Sequence, residues 1–199
     1  MSAEEFEAIK IKIETLISDN KIDVVIFQDY DKGVITPELI EYVTTVCNEK
    51  NIPTAVDPKK RNFADFKNVT LFKPNLKELK EGLNIDVNPS ESNEVENAID
   101  TINTQLNNKI TFITLSEHGV FIKDKNSKKQ ISAHIRSISD VSGAGDTVIS
   151  VASLCLALNQ PINMIAEIAN LAGGLVCESV GVVPIDKDQL LSEAISNLI

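Results

Sequence analysis

Nowhere in this chain does an apolar run approach the ~20 residues needed to span a bilayer. Its opening MSAEEFEAIK has neither the basic start nor the apolar stretch of a secretory signal. Both absences point to a soluble cytoplasmic protein that meets no membrane. Tryptophan is missing altogether, and the three cysteines, Cys47, Cys155 and Cys177, lie far apart without C-x-x-C spacing. That pattern indicates neither a disulfide framework nor a zinc site, so they read as reduced core residues. Basic charge is also short. Lys and Arg number 19 against 29 Asp and Glu, a net charge of −10, which disfavours nucleic acid as a partner because phosphate attraction needs a basic surface. A phosphorylated small molecule stays open, since local groups can hold it. His118 and His134 are too few and too badly spaced for a metal centre. Neither a Walker A Gly-Lys-Ser/Thr nor a G-x-G-x-x-G occurs.

What is present is 43% hydrophobic residues, ample for one large core over residues 1–199. Phe6, Ile9, Ile13, Leu16 and Ile17 recur at helical spacing, and Asp19 and Asn20 can end that helix. The run IDVVIF (22–27) predicts a short strand buried on both faces, as in parallel sheets. Thr36 as N-cap and Pro37 at the first helical position open a helix, and IPTAVDP (52–58) is the next strand. The alternation repeats with a strand at 69–74, a short helix capped by Asn75, a polar helix over 91–107 and a strand at 109–115. Residues 119–135 alternate around a polar turn at 124–129, an antiparallel hairpin that includes His134 and Ile135. Helices over 143–158, about 161–179 and 186–198, the last capped by Asp186, complete the chain, and their small residues predict close packing. The fold class is therefore α/β, a three-layer αβα arrangement with a mostly parallel sheet and an antiparallel hairpin edge. In such sheets ligands lie beyond the carboxyl ends of the strands.

The stretch DVSGAGDTVIS (140–150) sits at that end. Gly143, Ala144 and Gly145 lead into a helix, so their N–H groups can converge on an anion with the positive end of the helix dipole behind them. Asp146 would repel a resting phosphate, but suits a base that takes the proton of a hydroxyl attacking a phosphoryl group. Taken alone, the stretch also fits a tight turn followed by a first-turn acid that the dipole favours.

DVSGAGD resembles the D-T-x-G-A-G-D signature of the PfkB (ribokinase-like) carbohydrate kinases, with Val141 replacing the usual Thr. KPNLKEL, ITLSEHGV and ANLAGGLVCESVGVVP resemble further segments of that family in order and spacing. QDYDKGVIT, VDPK and DVSGAGDTVIS are most similar to its kinases of heptose 7-phosphate, which serve lipopolysaccharide synthesis. The resemblance implies a ribokinase-like fold, ATP and Mg²⁺ as cofactors and a sugar phosphate as substrate. It assigns Asp146 as catalytic base and Gly143, Ala144 and Gly145 as the anion hole. Asn75 and Glu78 would organise magnesium and the nucleotide phosphates, Glu78 through water, or serve as a helix cap and its capping-box acid. Ser116 and Gly119 would line the ATP channel and Asn170 the adenine. Asp29 and Lys32 would face the sugar and its phosphate, or form a polar turn closed by Gly33. Lys59 would offset phosphate charge, beside solvated Lys60 and Arg61. Asp140 and the backbone near Gly181 match a region that holds a monovalent cation, K⁺, in some relatives.

Against the family pattern, the N-terminal strands, the sugar-binding G-G-x-x-x-N region and the small β-sheet lid have no counterpart, so the chain reads as the nucleotide-binding C-terminal part of the domain. An uncovered sheet edge follows. A second copy in a homo-oligomer, a rearranged helix over residues 2–19, or a lattice neighbour would cover it. The alternatives to a heptose-phosphate kinase are a truncated, inactive nucleotide-binding module and a kinase for another sugar or nucleoside.

Overall fold

The apolar run at 22–27 becomes β1 (Val25–Gln28), the first strand of a computed structural model that describes residues 2–19, 22–134 and 136–198. Before it, α1 (Ala3–Ser18) starts from a capping box in which Ser2 Oγ accepts from the Glu5 amide and Glu5 accepts from that of Ser2. The Asp19 amide closes its last turn on the Thr15 carbonyl; Asn20 lies outside the described residues. After β1, Thr36 caps α2 (Pro37–Glu49) by accepting from the Leu39 amide. Then come β2 (Thr54–Asp57), β3 (Leu71–Phe72), α3 (Leu76–Leu83), α4 (Ser92–Leu106) and β4 (Ile110–Thr114).

The hairpin is β5 (Val120–Lys123) and β6 (Lys128–Ile131), and Asp124 binds the Asn126 and Ser127 amides in its turn. Because β6 ends at Ile131, His134 lies beyond the hairpin rather than within a strand, and Ile135 is outside the described residues. Helices α5 (Ala144–Ala157), α6 (Ile162–Val176) and α7 (Lys187–Leu198) finish the chain. Asp186 Oδ1 accepts from the Gln189 amide at the start of α7.

The six strands form one sheet in the order β1-β2-β3-β4-β5-β6, parallel from β1 to β4 and antiparallel from β4 to β6. One face packs Leu39, Ile40, Val43 and Cys47 of α2, Leu79 of α3 and Val95, Ile99 and Ile102 of α4 against Phe27, Val56, Phe72 and Ile113. The other packs α5 and α6 against Ala55, Leu71, Phe112 and Ile122. The protein is a three-layer α/β fold. A Cβ on Gly173 would lie 2.6 Å from Val148 Cγ2, so α5 and α6 approach as closely as their small residues predict. All three cysteines are buried and free.

One expectation fails at the sheet edge. The sequence of β1 reads as a strand buried on both faces, yet Ile26 is 39% exposed, because β1 has a strand neighbour only on the β2 side among the described residues. Helix α1 does not add to the sheet: Phe6 meets Tyr42 of α2 edge-on, Tyr42 donates to Glu14, and Ile17 enters the α2-side core. It covers one flank of the edge and leaves the α5 side open.

Candidate active site

Three polar residues stand side by side at the carboxyl ends of three parallel strands, next to the start of α5. Gln28 ends β1 and is in register with Asp57 at the end of β2, and Lys73 follows β3. Lys73 is 1% exposed, and its Nζ lies 2.9 Å from Asp57 Oδ1. A cation and a carboxylate this deeply buried are stable only together, since removing either leaves a bare charge in a poorly polarisable interior. Gln28 Nε2 donates to Asp57 Oδ2 at 2.7 Å and to Asp146 Oδ1 at 3.0 Å. The Tyr30 hydroxyl donates to the second oxygen, Asp146 Oδ2, at 3.2 Å. That contact raises the Tyr30 pKa, first through the charge of Asp146 and then through the hydrogen bond.

Asp146 reaches this cluster because α5 begins abruptly. Gly143 takes φ +80°, a left-handed conformation that an L side chain rarely adopts, and a Cβ there would meet Val182 Cγ1 at 3.0 Å. The Ala144 amide turns back to the Val141 carbonyl at 3.2 Å. That bond occupies Ala144, which the sequence reading counts in the anion hole; among the described residues the amides of Gly143, Gly145 and Asp146 have no protein acceptor, so they and the helix dipole form a positive opening. Lys73 Nζ lies 4.0 Å from where a Gly145 Cβ would be, placing a buried cation beneath it. A base and an anion hole therefore share one helix end, the juxtaposition that phosphoryl transfer to a hydroxyl requires.

Around this centre, the Asn75 side chain accepts from the Glu78 amide at 2.8 Å and Glu78 Oε2 accepts from the Asn75 amide at 2.9 Å, a complete capping box on α3. The other oxygen of Glu78 pairs with Lys59. Burial lowers the Lys59 pKa, but the hydrogen bond and charge of Glu78, with Asp57 and Asp29, raise it further, so the net shift is upward. Asp29 is buried and takes the Asp31 amide on one oxygen and the Asn62 amide nitrogen on the other. Its geometry is that of a loop organiser. Arg61 is not simply solvated, since it pairs with Asp31 at 2.8 Å. Lys32 is exposed and lines an open cavity of about 470 Å³ with Glu5, Ala8, Ile9, Gly33 and Val34.

Ser116 and Gly119 bound the turn between β4 and β5, Ser116 exposed and Gly119 buried. Asn170 is buried in α6 and donates to the Ser132 carbonyl at 3.0 Å, tying that helix to the end of β6. Asp140 accepts from the Ser142 amide and hydroxyl on one oxygen and from the Gly181 amide on the other. Those bonds, led by the Ser142 amide, lower its pKa. The described residues contain no group of three or more His, Cys, Asp or Glu placed to hold a metal directly.

Sequence reasoning gave no role to Gln28, Tyr30, Asp57, Lys73 or Asn62. A signal existed for four of them: Gln28, Asp57 and Lys73 are polar residues at the carboxyl ends of apolar runs, where parallel sheets place their sites, and Tyr30 lies in the loop that follows Gln28. That Tyr30 meets Asp146 and Asn62 meets Asp29 was not readable, because those partners lie 116 and 33 residues away in sequence.

The pfkB family carbohydrate kinase model matches residues 14–188. Two curated relatives are the bifunctional protein HldE of Syntrophotalea carbinolica, 33% identical over 87% of this chain and 35% of that protein, and HldE of Methylobacillus flagellatus, 33% identical over 97% and 39%. The chain thus spans well under half the length of those relatives. Among solved structures, phosphofructokinase-2 from Escherichia coli in complex with potassium superposes with a TM-score of 0.84 at 18% identity, over 96% of this chain and 62% of that one. Arabidopsis thaliana ribokinase complexed with ribose and ATP gives 0.75 at 16%, over 96% and 59%. At those identities the structures support the fold alone.

Proposed function

The chain belongs to the pfkB family of carbohydrate kinases, and on that premise we propose that it carries the phosphoryl-transfer centre of an ATP-dependent sugar kinase whose acceptor is a hydroxyl of a sugar phosphate, heptose 7-phosphate foremost. The observation that carries the reading is Asp146 at the mouth of α5, beside free amides and above the buried Lys73–Asp57 pair. Asp146 accepts the proton of the attacking hydroxyl, while the amides of Gly143, Gly145 and Asp146 receive the charge on the transferred group. The HldE relatives support the choice of sugar.

Both oxygens of Glu78 are already engaged, by Lys59 and by the Asn75 amide. This carboxylate suits a magnesium ion held through water, in keeping with that ion's reluctance to shed its hydration. Bound there, magnesium would draw negative charge from the ATP phosphates. Asn75 and Lys59 complete that side, Ser116, Gly119 and Asn170 lie toward the nucleotide, and Asp29 and Lys32 toward the sugar. Asp140, with Gly181, is assigned a monovalent cation. A homo-oligomer belongs to the same reading, since the β1 edge has no partner strand among the described residues.

That open edge also favours a second reading, a nucleotide-binding module that does not complete the reaction by itself. Calorimetric titration with Mg-ATP, then with heptose 7-phosphate, separates the two: binding of both with ADP release is the kinase, and ATP alone is the module. Turnover on ribose or fructose 6-phosphate with none on the heptose phosphate would defeat the choice of sugar.

A further inference from the structure

The two oxygens of the Asp146 carboxylate are held in different ways. Oδ1 faces Gln28, half-buried at the end of β1, whose amide nitrogen also binds Asp57. That nitrogen carries two hydrogens, and each goes to a different carboxylate; turning the amide over would set its carbonyl oxygen against both negative groups, so charge fixes the orientation. Asp57 is in turn pinned by Lys73. Oδ2 faces Tyr30, which is 57% exposed and whose hydroxyl makes no other hydrogen bond among the described residues. One oxygen is braced from the core, the other capped from solvent.

We propose that Gln28 is a positioning residue that dedicates Oδ1 of Asp146 to the protein and leaves Oδ2 as the proton acceptor, while the Tyr30 hydroxyl keeps the place of the acceptor hydroxyl until substrate displaces it. The proton's destination rests on the phosphoryl-transfer reading; the bracing itself does not. In the step concerned, the sugar hydroxyl gives its proton to Oδ2 and its oxygen bonds to the γ-phosphorus. The bond from that phosphorus to the β–γ bridging oxygen breaks, and its electron pair leaves on ADP. A carboxylate free to swing would present either oxygen at varying distance, and misplacement of about 1 Å can cost ~100-fold in rate.

Tyr30 and Tyr42 are the only tyrosines. In a Tyr42→Phe background, 3-fluorotyrosine therefore reports position 30 alone by fluorine NMR, and the fluorine brings phenol ionisation into an accessible pH range. Asp146→Asn should lower the ionisation midpoint toward that of the free amino acid, because it removes the charge that raises it. Gln28→Met, which keeps length and packing, should lower it in the same direction and reduce kcat by ~10- to 100-fold at an unchanged KM for ATP. Far-UV circular dichroism checks the fold, and if the Met variant unfolds, Gln28→Asn, whose amide is drawn back, is read with the same expectations. Because the fall requires the unbraced carboxylate to leave Tyr30, a midpoint unmoved or raised by the Gln28 substitution, or a wild-type kcat, overturns the proposal. Loss of the midpoint shift in a protein that transfers phosphate to no acceptor would retain the brace and remove only the kinase reading.

Discussion

The sheet has two edges, and they are built to opposite rules. At β6 the edge is four residues long and alternates exposed and half-buried positions, and its lysines are tied down, Lys128 to Glu96 at 2.6 Å and Lys129 to Glu167. Both edge strands are equally short, so charge is what keeps the β6 edge from recruiting another strand. At β1 the edge shows Ile26, and Leu154 of α5 and Leu158 just beyond it are 62% and 70% exposed. Those leucines follow Asp146 and Ser150 at four-residue intervals, so one helical stripe runs from the reaction centre to an apolar surface. The β6 edge ends the sheet against water. The β1 edge has the composition of an interior strand and holds Gln28 of the candidate site at its end.

The largest effect expected of breaking this contrast is chemical. Asp146→Asn should lower kcat by ~10²- to 10⁴-fold while ATP affinity holds within a few-fold, and Lys129→Gln at the other edge should change neither; steady-state kinetics with calorimetry on both variants decides it. A comparable difference should appear in stability. Lys73→Met strands Asp57 in the interior and should cost ~3–5 kcal/mol, whereas Lys129→Met, at a part-exposed pair, should cost no more than ~1 kcal/mol. Urea unfolding of the two proteins would show it, and equal losses would mean that burial does not distinguish the Lys73–Asp57 pair at the site from the surface pair at the β6 edge.

Association is the next comparison. Wild-type protein should self-associate with rising concentration in sedimentation velocity, and Ile26→Lys combined with Leu154→Lys should reduce that association. Placing isoleucine at Lys129 should increase it by undoing the charged edge. The smallest effect concerns His134, beyond β6. Burial, helped by Arg136 and opposed by Glu193, lowers its pKa. The folded imidazole then resists a proton that the unfolded chain takes up near its ordinary value of about 6.5. The unfolded state binds more protons in that window, so stability falls as pH drops from about 6.5 toward the lower folded value. His134→Gln should flatten that slope in thermal melts between pH 7 and 5, and an unchanged slope would assign it to other groups.

Much of this was legible from one dimension. Thr36, Asn75 and Asp186 cap the helices the pattern assigns to them because a cap is a local bond over two or three residues. The GAGD turn was readable for the same reason, since Gly143 must adopt a positive φ and a helix must follow. The apolar run of β1 by itself states what a strand would prefer and not whether a neighbour is present; the uncovered edge was implied only by the family pattern, whose N-terminal strands have no counterpart here. Asp29 and Asn170 read from sequence as facing the sugar and the adenine, but their ties to the fold were not readable. Their partners, Asn62 and the Ser132 carbonyl, come from distant segments.

The amino-acid sequence by itself determined the alternation of strands and helices, their caps and the helix-start motif, since each depends on residues a few positions apart. Only the tertiary structure decided that Gln28, Asp57, Lys73 and Asp146 form one linked group of charges and amides. Their separations along the chain reach 118 residues. Closing such distances takes the whole sheet, whose packing brings three strand ends to one helix start.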